Sequence, residues 1–230
     1  MSEINFKDGH RQRLKKVFLD SNMDSLTPEH YLELLLFYCI PRKDTQEISC
    51  ELIHHFGSLA GVLDATFEDL LKVKGIGEST ATLIKLIPNI ARAYMIDRAS
   101  NGTILSSIEE AGNYLIPKFI GYTKEVLYIV CLDNKLKVVY CDILSQGTID
   151  NIQFAVRTII EITMRVNANS VILAHNHPYG LALPSADDVN TTIRLHKALE
   201  IVGVSLRDHF IIANGQYTSL ADSGIFSFKS

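Results

Sequence analysis

Nothing in these 230 residues is apolar for long enough to cross a bilayer, so a membrane protein is not expected. The opening MSEINFKDGHRQRLKK lacks an apolar h-region, so a secretory leader is not expected either. Cysteine is sparse. Cys39, Cys50, Cys131 and Cys141 lie far apart with no C-x-x-C pair. That excludes a disulfide frame and a thiolate zinc site, and it reads as reduced thiols of a cytoplasmic protein. Positive charge is not in excess. The net charge is −4, and the halves 1–100 and 101–230 each carry −2. There is no general pull toward nucleic acid, so any such contact needs a local patch. Repeats and low-complexity segments are absent too. What is present is ordinary globular material, 47% hydrophobic and 21% charged, in a chain long enough for two modest domains.

The first hundred residues read as helix. His10–Leu19 is a short helix with a basic face. Thr27-Pro28 starts the apolar helix HYLELLLFYCI, which Pro41 ends. Asp44 or Thr45 caps the next, and one or two short helices cover 59–71. VKGIGESTATLIKLI is a glycine-rich turn opening a long helix to about Ala99. Ser100-Asn101-Gly102 is polar and turn-prone, and it marks the expected boundary between domains 1–100 and 101–230. Beyond it the pattern becomes α/β. Residues 107–121 read as helix and 125–144 as a β-hairpin. A helix follows over 152–166, then the wholly apolar strand SVILA (170–174). Ser185 opens a helix to about Val202, and 204–213 is a strand returning through Asn214-Gly215 to QYTSL. The expected fold is a helical N-terminal domain followed by an α/β domain with a mixed sheet.

The stretch LAHNHPYGLALPSADD carries the chemistry. Alternate residues of a strand share a face, so His175 and His177 can aim at one point beyond the end of SVILA. The loop PYGLALP is long enough to fold back, bringing Asp188 to the same point. Two imidazoles and a carboxylate are three protein ligands, the complement of a catalytic zinc with one position left for water. Such a zinc makes hydroxide available near neutral pH. Ser185-Ala186-Asp187-Asp188 also reads as a helix capping box, with Ser185 at the N-cap and Asp188 at N3. The two readings are compatible.

His-x-His, seven residues, then Ser-x-x-Asp resembles the JAMM motif of JAB/MPN metalloproteases. The longer HNHPYG…PS…D, with GHRQRLKKVF, YLELLLFYCIPRKDT, FGSLAGVLDA and VKGIGES upstream, is similar to the RadC-type branch of that superfamily, named for DNA repair. The likeness runs from Gly9 to about Ala221. It implies a JAB/MPN, cytidine-deaminase-like α/β domain holding one Zn²⁺ through His175, His177 and Asp188. The implied activity is hydrolysis of a peptide or isopeptide bond in a protein substrate by a zinc-activated water. It implies a glutamate as general base and acid, matched here by Glu125, with Glu161 as the competitor. It also implies that Ser185 helps bind the substrate carbonyl or oxyanion. The chain departs from the family pattern at Tyr179 in place of serine, at Leu181 in place of an acid, and at AVRT (155–158), where a His and a Glu are lost. The ligands and Ser185 survive, so the departures bear on the substrate groove and on turnover.

Val73-Lys74-Gly75-Ile76-Gly77 before a helix looks like the hairpin of a helix-hairpin-helix motif. Free amides there can hold a phosphate, making Lys74, Gly75 and Gly77 candidate DNA contacts within 72–80. Glu68, Asp69 and Glu78 offset the lysines. Two further expectations therefore stand beside the hydrolase: a DNA-associated repair accessory protein with a non-catalytic zinc site, and a protein-interaction scaffold. His209, next to Asp208, reads as a buried hydrogen-bonded residue rather than a fourth ligand. The sequence does not indicate the oligomeric state.

Overall fold

A computed structural model describes residues 6–20, 26–41, 43–98, 102–147 and 152–224. Ser100 and Asn101, at the expected boundary, lie outside the described residues. The chain divides into two compact units, Met1–Ile90 and Ala91–Ser230.

The first unit is helical, as the sequence predicts. It comprises α1 (Phe6–Asp20), α2 (Pro28–Cys39), α3 (Gln46–Phe56), α4 (Leu59–Asp64), α5 (Phe67–Lys72) and the opening turns of α6 (Glu78–Arg98). Side chains satisfy the orphan amides at the starts of the short helices. Ser58 Oγ accepts from Gly61 N at 3.0 Å, and Thr66 Oγ1 from Asp69 N at 3.1 Å. Asp44, rather than the N-cap Thr45, accepts from Gln46 N at the start of α3 (3.0 Å). Leu32, Leu36, Leu52, Val62, Leu70 and Ile84 form the centre of the core. Val73 and Ile76 plug the α5–α6 hairpin into it.

The second unit begins with the end of α6, then has α7 (Ile108–Leu115) and a 3₁₀ turn, Ile116–Phe119, where the sequence suggested one helix. Five strands follow: β1 (Val126–Leu132), β2 (Val138–Gln146), β3 (Ser170–Asn176), β4 (Ser205–Ala213) and β5 (Gln216–Ser219). Helices α8 (Ile152–Val166) and α9 (Ala186–Ile201) make the crossovers before and after β3. The sheet order is β2-β1-β3-β4-β5, with β3 and β4 parallel and the other pairs antiparallel. β1 and β3 are central, which is why both read as unbroken apolar runs. One face of the sheet packs Leu115 and Phe119 against Val126, Tyr128, Ile172 and Phe210. The other packs Ile159 of α8 and Leu195 and Leu199 of α9 against Leu127, Ile129, Val171 and Leu173.

The β3–β4 register slips by one residue at Arg207: Val171 faces Leu206, but Ile172 faces Asp208. This bulge turns Leu206 and His209 to the same face. It sends Asp208 to the other face, where its carboxylate is buried. Asp208 accepts from Ser219 Oγ at 2.5 Å, His209 N at 2.7 Å and Ala221 N at 3.0 Å, tying β4 to the end of β5. Burial pushes this carboxyl up, against the pull of those donors. A raised carboxyl favours the fold only while it is protonated, so its contribution fades as pH rises from the unfolded value, about 4. Asp208→Asn keeps an acceptor for the two amides and offers an N–H to Ser219. Its melting temperature relative to wild type is therefore expected to climb between pH 4 and 7 in thermal scans.

Candidate metal centre

β3 ends where the sheet opens. His175 pairs across the sheet with Leu127 of β1 and Ile211 of β4, and His177 N extends the ladder to Ile212 O at 2.8 Å. Both imidazoles stand on the face covered by α8 and α9. Ser185 caps α9: its Oγ accepts from Asp188 N at 3.1 Å. Asp188 Oδ2 in turn accepts from Ser185 N and Ser185 Oγ, each at 2.7 Å. This capping box fixes the Asp188 carboxylate beside the histidines.

The three side chains converge. His175 Nε2 lies 3.0 Å from His177 Nε2 and 3.1 Å from Asp188 Oδ1, and His177 Nε2 lies 3.5 Å from Asp188 Oδ2. Among the described residues, His175, His177 and Asp188 form the one cluster of acidic, His or Cys side chains able to hold a metal, their ligand atoms all within 4.8 Å. Burial pushes the Asp188 carboxyl up. The neighbouring His175 and the hydrogen bonds from Ser185 outweigh it and hold Asp188 well below the usual carboxylate range. His177 Nδ1 lies 3.1 Å from Leu181 O. A carbonyl can only accept, so Nδ1 carries the proton and Nε2 presents a lone pair. That lone pair faces a second imidazole nitrogen and an anionic carboxylate. An N, N, O set converging this closely suits zinc.

Asn176, which sequence reasoning missed, and His209, whose contacts it missed, organise this end of the sheet. Asn176, between the histidines, is only 4% exposed and points to the opposite face. Its Oδ1 accepts from Val126 N at 2.7 Å and its Nδ2 donates to Lys124 O at 3.1 Å. The segment around Glu125 is thereby clamped to the histidine strand. Glu125 is exposed, and its carbonyl accepts from Gly147 N at 2.8 Å. It sits one residue before the start of β1 and two before Leu127, whose partner is His175. The competitor Glu161 pairs instead with Arg157 on α8, at 2.8 Å. The second missed feature is a contact of His209. Buried and hydrogen-bonded, it places Nε2 2.9 Å from His175 Nδ1 and Nδ1 2.6 Å from Thr192 Oγ1. Burial first, then the neighbouring His175, holds its imidazole well below the ordinary range. A polar residue in a buried strand was the available signal for both.

A family model for the RadC-like JAB domain matches residues 105–225. The chain belongs to the RadC-like JAB domain family. A curated relative, a UPF0758 protein of Fusobacterium nucleatum subsp. nucleatum, is 33% identical over 224 residues, which cover 94% of this chain and 97% of the relative. The JAB match contains β1 to β5 and all three candidate ligands.

A helix-hairpin-helix model matches residues 58–87, taking in α4, α5 and the start of α6. Gly75 adopts φ +94°, which favours glycine, and a Cβ there would lie 3.0 Å from Ile48 Cδ1. Lys74 is exposed on the hairpin. Its neighbours are engaged: Lys72 with Asp69 at 2.6 Å, and Lys85 with Leu63 O at 3.0 Å. Among the described residues, no helix is long and apolar enough to cross a membrane.

Proposed function

We propose that this RadC-like protein is a cytoplasmic zinc-dependent hydrolase of the JAMM type, cleaving a peptide or isopeptide bond in a protein substrate. On this reading residues 1–100 form a helical domain and 101–230 the catalytic one. The convergence of two imidazoles and one carboxylate carries the proposal. Three protein ligands leave zinc a fourth position, the pattern of catalytic rather than structural sites. When bound, Zn²⁺ supplies Lewis acidity and lowers the pKa of water toward neutrality. Glu125 takes the proton of the attacking water and returns it to the leaving nitrogen. Ser185 is the hydroxyl beside the ligands. When it turns from Asp188 to the substrate oxygen, the Ser185 N–H still holds the carboxylate.

The departures from the family pattern bear on what is cleaved. Tyr179, Leu181 and Leu183 are 86%, 69% and 59% exposed, on the loop between the ligands. The loop is held by Asn214 Nδ2 to Gly180 O at 3.2 Å and by Thr218 Oγ1 to Ala182 O. Apolar side chains displayed on a fixed loop beside a metal suit an apolar segment flanking the scissile bond. Leu181→Asp is expected to raise KM about tenfold with zinc stoichiometry unchanged, since one apolar contact is worth about 1–3 kcal/mol. Steady-state kinetics alongside metal analysis checks it.

The test is mass spectrometry of peptide and isopeptide-linked substrates incubated with full-length protein carrying one equivalent of zinc. Cleavage should disappear with chelator and return with zinc. Zinc binding with no cleavage across the panel would favour a non-catalytic site. The helix-hairpin-helix match supports the second reading, DNA association through Lys74, Gly75 and Gly77. It expects a salt-dependent mobility shift with duplex DNA that Lys74→Ala weakens.

A further inference from the structure

The imidazole contact behind the metal site has two possible directions. Either His175 donates to His209 or the reverse. The direction matters because it decides whether His175 Nε2 offers a lone pair or a proton to the centre. A neighbour seventeen residues away in sequence from His209 resolves it.

Thr192 sits in α9, fully buried, one helical turn after Asp188. Its Oγ1 lies 2.6 Å from the Asp188 carbonyl oxygen. Two oxygens at that distance need a proton between them, and a carbonyl has none to give. The single hydroxyl proton of Thr192 is therefore committed to Asp188 O. Oγ1 is also 2.6 Å from His209 Nδ1, and this contact must draw its proton from the imidazole. Neutral His209 with its proton on Nδ1 has a bare Nε2, which accepts from His175 Nδ1 at 2.9 Å. His175 is then left with a lone pair on Nε2, aimed at His177 and Asp188.

We infer that Thr192 and His209 are positioning residues forming a hydrogen-bond relay of fixed direction, which sets the His175 tautomer so that Nε2 can ligate a metal. The inference rests on the zinc reading of the site. The relay is closed on itself: it starts at the backbone of ligand Asp188 and ends at ligand His175. One helix turn thus supplies a ligand and orients another. The β4 bulge at Arg207 is part of it, since without the extra residue His209 would face the other side of the sheet. Partners of this kind typically contribute 10- to 100-fold in metal affinity.

Zinc affinity of the full-length protein, measured by competition with a chromogenic chelator, tests the relay. Thr192→Val keeps the shape and removes the acceptor, and is expected to weaken binding about 10- to 100-fold. Thr192→Ser retains the hydroxyl and should stay close to wild type. His209→Leu should weaken binding, and His209→Gln should recover part of it, because an amide both accepts and donates. A structural role alone would not follow this order. Nitrogen-15 correlation spectra of the histidines give a readout independent of metal. The relay expects the His209 proton on Nδ1, with or without zinc, in wild type and Thr192→Ser. Unchanged affinity in Thr192→Val, or the His209 proton on Nε2, overturns the relay. Wild-type protein that binds no zinc overturns the hydrolase reading, and the spectra of the zinc-free protein still decide the direction of the relay.

Discussion

His177→Ala is expected to abolish stoichiometric zinc binding while leaving the fold standing. The fold loses little because His177 lies past the last residue of β3. Apart from its contacts with His175 and Asp188, its side chain bonds to Leu181 O at 3.1 Å. Loss of one such bond costs about 1 kcal/mol, or about 2–4 °C in a chain of this size. The metal loses one of three protein ligands, a larger effect than the 10- to 100-fold associated with outer partners, so affinity should fall by more than about 100-fold. Zinc at a hundred times its dissociation constant stabilises the native protein by about 2.7 kcal/mol. Differential scanning fluorimetry should therefore show wild type rising by about 5–10 °C with zinc. The variant should melt near zinc-free wild type whether or not zinc is added. Chelator should return wild type to the same point. Ligation needs neutral imidazoles, so zinc protection should shrink on acidification. Asp188 is not the group released first, because the neighbouring His175 and the hydrogen bonds from Ser185 overcome the cost of burial and keep it ionised.

Why the candidate ligand cluster was legible in the sequence, and its support was not, comes down to range. SVILA, the His-x-His spacing and the Ser185–Asp188 cap are local patterns. Strand alternation and a helix capping box fix where their side chains go within a dozen residues. The helical first unit and the 125–144 hairpin were readable for the same reason. Asn176 could not be assigned that way. It looks like a spacer between two histidines until β1 is paired with β3, which brings Lys124 and Val126 from fifty residues upstream against its amide. His209 is harder still. Strict alternation from Leu206 would turn it away from the site, and the bulge at Arg207 leaves no mark in the residue pattern. Its relay with Thr192 then spans two elements that meet only in the folded unit. Short-range periodicity therefore finds the groups that can touch a metal. The groups that orient them depend on strand register.

Glu125→Gln is expected to leave zinc stoichiometry and stability in place and to cut hydrolysis by about 10²- to 10⁴-fold, the range of a lost general base. Glutamine has the shape of glutamate and no site for the transferred proton. Residue 125 is exposed, and its structural bond to Gly147 runs through the backbone, so folding should change by less than about 0.5 kcal/mol. The loss should appear in kcat rather than KM, because a proton carrier acts in the transition state and contributes little to ground-state binding. Asn176→Ala supplies the matching control from the structural side. It leaves the Val126 amide and the Lys124 carbonyl without their buried partner and should cost about 1–3 kcal/mol. It should also loosen residue 125 relative to the histidines. Zinc should still bind, through His175, His177 and Asp188, while kcat falls part of the way toward Glu125→Gln. In the double variant the Asn176 change should add little further loss of kcat, since freeing a segment that no longer carries a base has nothing left to misplace. Independent, multiplying losses would mean that Asn176 acts on something other than Glu125. Full hydrolysis by Glu125→Gln would remove residue 125 from the reaction and move the search for a base to another residue around the metal site.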